Sequence, residues 1–521
     1  MRKAVTGIML TLLFIGVLTL AFQVQKAKAS GTIYIRADGS IDPLDAPIST
    51  MDNVTYTFTG NITGGLDGII VERSNIIIDG NGYTLQSTGG GAGFRADSMS
   101  NVTIKNTNIK GFSNGVYFLY SSNCSLLGNY ITANTYIGIY LNQASNNIIF
   151  GNEITAIITY DGIWLSDSSN NSVCQNKLTN NRFGIQIYGS SNNTITGNEI
   201  TDNTGGIWLR GTSSNRIVRN NITANHQYGI YLSGSLGNII CRNNITANEY
   251  GIQLGDVFAG SADYNSISED NIIANDVAIA IFVSSNNRFH HNNFIDNNTP
   301  TIIGYGPNGT SGGNIWDNGY PSGGNYWSSY EDTDQFSGPY QNETGSDGIS
   351  DTSNVLSEYD WGGHYVGNTD HYPLMAPINF FDAGTWNDIT YYVNIVSNSI
   401  LSHFHFDPDE GAFVSFWVKG ENETETQGFC RVAIPKNLLW VEDGWDIYYG
   451  SVRMDYSLIT DYNCTYLYFT YTNPGLNSFT TVTINGTHVI PEFPSFVFLP
   501  LFIVATLLTA MTFRRKRAVQ D

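Results

Sequence analysis

Asn198-Glu-Ile-Thr-Asp-Asn203, followed by Gly206-Ile-Trp-Leu209, returns about 22 residues later as Asn220-Asn-Ile-Thr-Ala-Asn225 and Gly229-Ile-Tyr-Leu232. It returns again as Asn243-Asn-Ile-Thr-Ala-Asn248 and Gly251-Ile-Gln-Leu254. A fixed period of this length marks a repeat architecture. Each copy holds short apolar strands split by Asn and Gly, with no helical stretch. Such units bury their apolar faces by coiling on themselves, so the sequence predicts an all-β chain built on a parallel β-helix.

The register extends outward from these copies. Gly68, Gly93, Gly115, Gly138, Gly162, Gly184, Gly206, Gly229 and Gly251 share one position, and Ala278 takes the next. The residues at +1 and +3 are apolar, as in Ile163/Leu165 and Ile207/Leu209, so period-two alternation places them inside and the +2 residue outside. The glycine is expected at a sharp bend with positive φ. Two Asn columns run alongside, one through Asn129, Asn152, Asn176, Asn198, Asn220, Asn243 and Asn292, the other through Asn134, Asn181, Asn203, Asn225, Asn248, Asn275 and Asn297. Stacked Asn side chains hydrogen-bond from rung to rung. No Pro interrupts the chain between Pro47 and Pro300, as strands bonded on both edges require. About ten rungs result, ~45–50 Å of shaft at ~4.8 Å per strand.

The ends read as targeting segments. Arg2 and Lys3 precede the apolar run 8–22, and Ala27-Lys-Ala29 is a small-x-small cleavage site, so residues 1–29 are expected to be a signal peptide. Residues 495–513 are uncharged and long enough for a transmembrane helix, with the basic cluster Arg514-Arg-Lys-Arg517 holding the tail in the cytoplasm. The remainder is then extracellular, at the cell surface, anchored to the membrane by the C-terminus. Net charge is −21, and eight of the 24 basic residues lie in those end segments. So acidic a surface argues against nucleic acid and polyanionic partners. Five Cys do not make a disulfide framework. Cys174 and Cys241 share a repeat position, which favours packing. Cys430 and Cys464 lie in the distal segment, as a bridge or as two thiols. Sequons begin at Asn53, Asn61, Asn101, Asn123, Asn170, Asn192, Asn221, Asn244, Asn297, Asn308, Asn342, Asn422, Asn463 and Asn485, and glycosylation is expected on an external surface.

Residues 30–66 are expected to cap the first rung of repeats 67–299, and residues 300–377, rich in Gly, Asn, Asp and aromatics, to cap the last. In 378–490 the runs 389–396, 412–418, 429–434 and 466–471 are separated by turn signals, which predicts a small β-sandwich standing as a spacer before segment 491–521.

The candidate binding surface is the outward +2 column, where Tyr117, Tyr140, Trp164, Trp208 and Tyr231 align on one face. Aromatic faces stack on sugar rings, and a sugar unit is about as long as one rung. Ring ladders also stabilise parallel stacks by themselves, at ~0.5–1.5 kcal/mol per pair. A glycosidase or lyase needs converging carboxylates. Only Asp161 and Asp202 lie near the aromatic face, and they are the catalytic candidates. Asp332, Asp334, Asp347 and Asp351, in acidic loops, are candidate ligands for calcium. For copper, His290-His291 and His403-Phe-His405 are the close pairs, without Met or Cys neighbours.

The repeat phrase combines with Asn314-Ile-Trp-Asp-Asn-Gly-Tyr-Pro-Ser-Gly-Gly-Asn-Tyr-Trp-Ser-Ser-Tyr330, Gly345-Ser-Asp-Gly-Ile-Ser-Asp-Thr352 and Asp370-His-Tyr-Pro-Leu374. Over about residues 60–377 this resembles the NosD-like right-handed β-helix proteins. The resemblance implies a right-handed coil, a cation in the acidic block, and a copper-handling role as one alternative. It also implies kinship with carbohydrate-binding and sugar-hydrolysis repeats. Pro491-Glu-Phe-Pro494, the apolar run and the basic cluster resemble the archaeal PEF-CTERM sorting signal, which implies processing by an archaeosortase. The segment with Gly428-Phe-Cys-Arg-Val-Ala-Ile-Pro435 looks like the spacer found before such tails. The resulting expectation is a surface protein that binds polysaccharide or cell-envelope glycans without catalysis. A polysaccharide lyase or hydrolase, or a copper-handling protein, are the alternatives.

Overall fold

The structure is a computed structural model that describes residues 28–489, apart from 30, 88, 158, 257, 259, 305–310, 360–362, 364, 421–425 and 477. Residues 1–27 of the expected signal segment and the whole expected sorting and transmembrane segment 491–521 lie outside the described residues, as do the sequons at Asn308 and Asn422. Every described element is a strand. No described helix is long and apolar enough to cross a membrane. The described residues divide into two compact units, 28–289 with 294–315 and 356–368, and 290–293 with 316–355 and 369–489.

The first unit is the coil. Each rung contributes one strand to each of three parallel sheets, as Gly205–Arg210, Arg216–Val218 and Asn221–Thr223 do. Register between rungs is in phase: Ile207 pairs with Ile185 and Ile230, and Trp208 with Gln186 and Tyr231. The +1 and +3 residues are fully buried, Ile163, Leu165, Ile207 and Leu209 among them. The stack makes about eleven turns. It starts before the first repeat glycine, because Ile33–Ile35, Thr55–Phe58 and Ile62–Thr63 already run parallel to the next rung. It continues past Asn297 with Thr299–Gly304.

The glycine column has a different cause from the one expected. None of Gly68 to Gly251 in that column has positive φ. A Cβ on Gly206 would lie 2.3 Å from the Gly229 carbonyl oxygen and 2.7 Å from Ile222 Cγ2. The column is glycine because backbone and third-sheet side chains close over it. The left-handed residues are the ones just before each ladder Asn: Asp202 (φ 54), Arg219 (φ 57) and Ala224 (φ 55) precede Asn203, Asn220 and Asn225. They turn the chain and aim the following Asn inward. Asn198 then donates through Nδ2 to Asn220 Oδ1 (2.9 Å) and to Val173 O (2.9 Å), and its backbone N–H donates to the same Oδ1 (3.0 Å). A third ladder at the remaining corner, Asn147, Asn171, Asn193, Asn215, Asn238, Asn265, Asn287 and Asn314, repeats this bonding, as in Asn193 to Asn215. These side chains satisfy backbone groups that a buried turn would otherwise leave unpaired.

The second unit holds two five-stranded antiparallel sheets. One contains Ile378–Trp386, Ile389–Ser397, Gln427–Pro435, Cys464–Thr472 and Ser457–Thr460, and the other Phe413–Lys419, Thr480–Asn485 and shorter neighbours. Val432, Leu467 and Phe469 of the first share a core with Phe416, Val482 and Ile484 of the second. Residues 316–355 and 369–374 join this unit through Ile349 and Leu374, which pack with Ile378 and Val396. Asp370, fully buried, accepts from Asn325 N and Trp327 Nε1, both at 2.9 Å. A Cβ on Gly324 would strike that carboxylate at 1.9 Å. No bridge joins Cys430 to Cys464; both thiols are free. They sit on paired strands, but Cys430 faces Phe469 and Cys464 faces Pro435, five residues along, ~17 Å at strand rise.

Candidate functional site

The outer face of the first sheet collects the aromatic residues. Tyr117, Tyr140 and Trp164 form one stack with ring centroids 5.1 and 5.2 Å apart. Trp208 and Tyr231 form a second at 5.7 Å and an interplanar angle of 12°. Gln186, in register between Trp164 and Trp208, separates the stacks. All five rings predicted from the +2 column therefore share one face. Their exposure differs: four are half-buried, whereas Tyr231 is 7 % exposed, packed between Trp208 and Tyr228. Its flat face is not offered to solvent.

A second outward column lies one residue before each glycine and was missed in the sequence reading. Phe183 packs on Trp208 at 5.0 Å, Tyr228 on Tyr231 at 4.9 Å, and Tyr228 on Tyr250 at 5.6 Å. The signal was present as aromatics immediately preceding Gly184, Gly229 and Gly251. Cations also lie on this face. Arg182 is 5.4 Å from the Phe183 ring centre and 5.6 Å from that of Tyr160, and Arg210 lies 5.6 Å from both Trp208 and Tyr188. At the near end Arg95 pairs with Asp97 at 2.9 Å.

Asp161 occupies the same column, between Ile137 of one rung and Phe183 of the next. It is fully buried, and neither carboxyl oxygen has a hydrogen-bond partner. Burial pushes its carboxyl up to about 7. Trp164, three residues on, has its Nε1–H buried without a partner. Asp202, the other catalytic candidate, is exposed at a left-handed turn two rungs away. The structure does not bring the two carboxyls together.

In the second unit the acidic loops close on themselves. Asp334 accepts from the backbone N–H groups of Asp347 (2.9 Å) and Gly348 (2.8 Å), and burial raises its carboxyl to about 7. Asp351 accepts from Phe336 N and Thr333 Oγ1, both at 2.9 Å; Asp332 accepts from Thr352 N and Oγ1, both at 2.8 Å; Asp347 accepts from Ile349 N at 3.0 Å. Among the described residues no three His, Cys, Asp or Glu side chains are placed to hold one metal ion. His290 and His291 hold their Nδ1 atoms 3.4 Å apart, and burial lowers the His291 imidazole to about 4. His403 stacks on Trp417 at 4.0 Å, and His405 meets Glu410 at 2.8 Å.

Residues 67–222 match the right-handed β-helix region family, and residues 155–332 match the family described as periplasmic copper-binding protein NosD. No curated protein matches the chain. Among solved structures, a mutant of the periplasmic alginate epimerase AlgG is 17 % identical, with 53 % of this chain and 71 % of that one covered, at a TM-score of 0.37. The Dettilon tailspike protein is 14 % identical over 87 % of this chain and 93 % of its own, at 0.35. PfbA, a surface adhesin of Streptococcus pneumoniae, is 13 % identical over 48 % and 73 %, at 0.34. Two family matches on the repeats, and sheets stacked in register through the same residues, make this chain a right-handed β-helix protein.

Proposed function

We propose that this chain is a cell-surface protein whose β-helix binds polysaccharide along the ring-lined face of its first sheet, without cleaving it. The observation that supports this is the alignment of Tyr117, Tyr140, Trp164 and Trp208, half-exposed, at successive strand positions of one rigid face. Strands ~4.8 Å apart match the repeat of a sugar chain, so one glycan lying along the axis touches several rings. The antiparallel unit is read as a β-sandwich spacer, and segment 491–521 as a PEF-type sorting signal at which an archaeosortase attaches the protein to the envelope. Glycan-array binding by the full chain is the test. Replacement of Trp164 and Trp208 by Ala is expected to abolish retention while leaving the β-sheet circular dichroism unchanged. Binding that survives the double replacement sinks the reading.

The enzyme alternative keeps one supporting observation, the unpartnered Asp161 carboxyl, whose elevated pKa suits proton transfer. Release of unsaturated or reducing sugar ends from a bound glycan favours it over simple binding.

A further inference from the structure

Net charge is −21, with 24 basic residues in the whole chain. Two of those bases flank a pair of packed rings on the aromatic face. Arg182, Phe183, Trp208 and Arg210 form a row across neighbouring rungs, with Phe183 and Trp208 5.0 Å apart and each guanidinium within 5.6 Å of one of those rings. Arg95 of the same face is neutralised by Asp97, but among the described residues neither Arg182 nor Arg210 is in an ion pair. In so acidic a protein, unpaired guanidinium groups on stacked rings leave the planar N–H fork free for an outside anion. Asp161, the carboxyl that acts on Arg182, stays protonated up to about 7 because it is buried, so it does not cancel that charge below this pH.

We propose that the row Arg182–Phe183–Trp208–Arg210 is a subsite for a saccharide unit bearing a carboxylate, that is, an acidic glycan of the uronate class. The sugar packs along the outward edge of half-buried Trp208, and its carboxylate is held by Arg182 or Arg210. This deepens the glycan-binding reading and rests on it. It also runs against the expectation from net charge that polyanions are excluded: the bulk charge repels them, and this row is a local exception.

The test is affinity electrophoresis of the full chain in gels containing polygalacturonate, its fully methyl-esterified form, or a neutral galactan. Wild type, Arg182→Gln, Arg210→Gln and Trp208→Ala are compared. Arg216→Gln, at an exposed site on the second sheet, serves as control. The expected result is retention by polygalacturonate at least about tenfold stronger than by the ester, reduced about tenfold by each of Arg182→Gln and Arg210→Gln, and unchanged by Arg216→Gln. Equal binding of acid and ester, or acid binding indifferent to both arginine variants, overturns the acidic subsite while leaving glycan binding intact. Retention by none of the three polymers, in the wild type, overturns the subsite; if a wider glycan array is also blank, the binding reading falls with it.

Discussion

Asp270 stands where every other described member of its ladder is Asn. Its Oδ1 accepts from Asn243 N at 2.7 Å and Asn243 Nδ2 at 2.9 Å, as a ladder carboxamide oxygen does. At the next atom the analogy fails. Asn243 donates through Nδ2 to Ile217 O, and a carboxyl at the equivalent place donates only when protonated. Burial accordingly pushes Asp270 up to about 8. The sign of the consequence follows. Between about 4 and 8 the unfolded chain has released this proton and the folded chain keeps it, so stability falls as pH rises through that window and levels off above it. Asp270→Asn removes this contribution, leaving the smaller one of the same sign from buried Asp161. Melting followed by circular dichroism is expected to show the two proteins close at pH 4 and the variant higher by at least ~2 °C at pH 9. Parallel melting curves across the range would show that Asp270 is not the ladder's titrating member.

At the scale of the rung, the glycine column and the Asn ladders decide whether successive turns fit. Gly206→Ala places a methyl against the Gly229 carbonyl oxygen and Ile222, and both are parts of a rung that cannot retreat without opening the next. The expected cost is about 2–3 kcal/mol, measured as a shift in urea midpoint at unchanged slope. Gly211→Ala, at a left-handed turn with nothing within 4 Å, tests the backbone effect alone and is expected to cost about 1 kcal/mol. This contrast also marks what the sequence made legible. The period located the glycines, the inward Ile and Leu, two ladders and the ring column, because each is a fixed offset from the repeat phrase. It misjudged why the glycines are there, since a clash with a neighbouring rung is a contact across about 22 residues and leaves no local trace. It missed the third ladder, although Asn193, Asn215 and Asn238 recur at the same period, because Asn was already abundant. It missed the pairing of Phe183 with Trp208, because their columns meet only once the strands are laid side by side.

Across the first unit, one rung is nearly interchangeable with another, and stability is close to a sum of rung terms and interfaces between neighbours. Residues 198–219 make one whole turn. Removing them joins Gly197 to Asn220, and Asn220 holds the ladder position that Asn198 held. Every inward residue beyond the junction keeps its side, since Ile222 succeeds Ile200 and Ile230 succeeds Ile207 in register. The shortened chain is expected to fold cooperatively, with the same circular dichroism and a melting temperature within about 5 °C of the parent. It also loses Trp208 and Arg210, so it should still fold while binding acidic glycan more weakly. Removing only 205–215 is a different operation. The first-sheet strand of that rung disappears, its neighbours on both sides lose their pairing, and a second-sheet strand must follow directly on a third-sheet turn. Aggregation or loss of the cooperative transition is expected there, read by size exclusion and thermal melting. If the whole-turn deletion fails in the same way as the half-turn deletion, the rungs are not equivalent modules, and the turn-by-turn account of this coil is wrong.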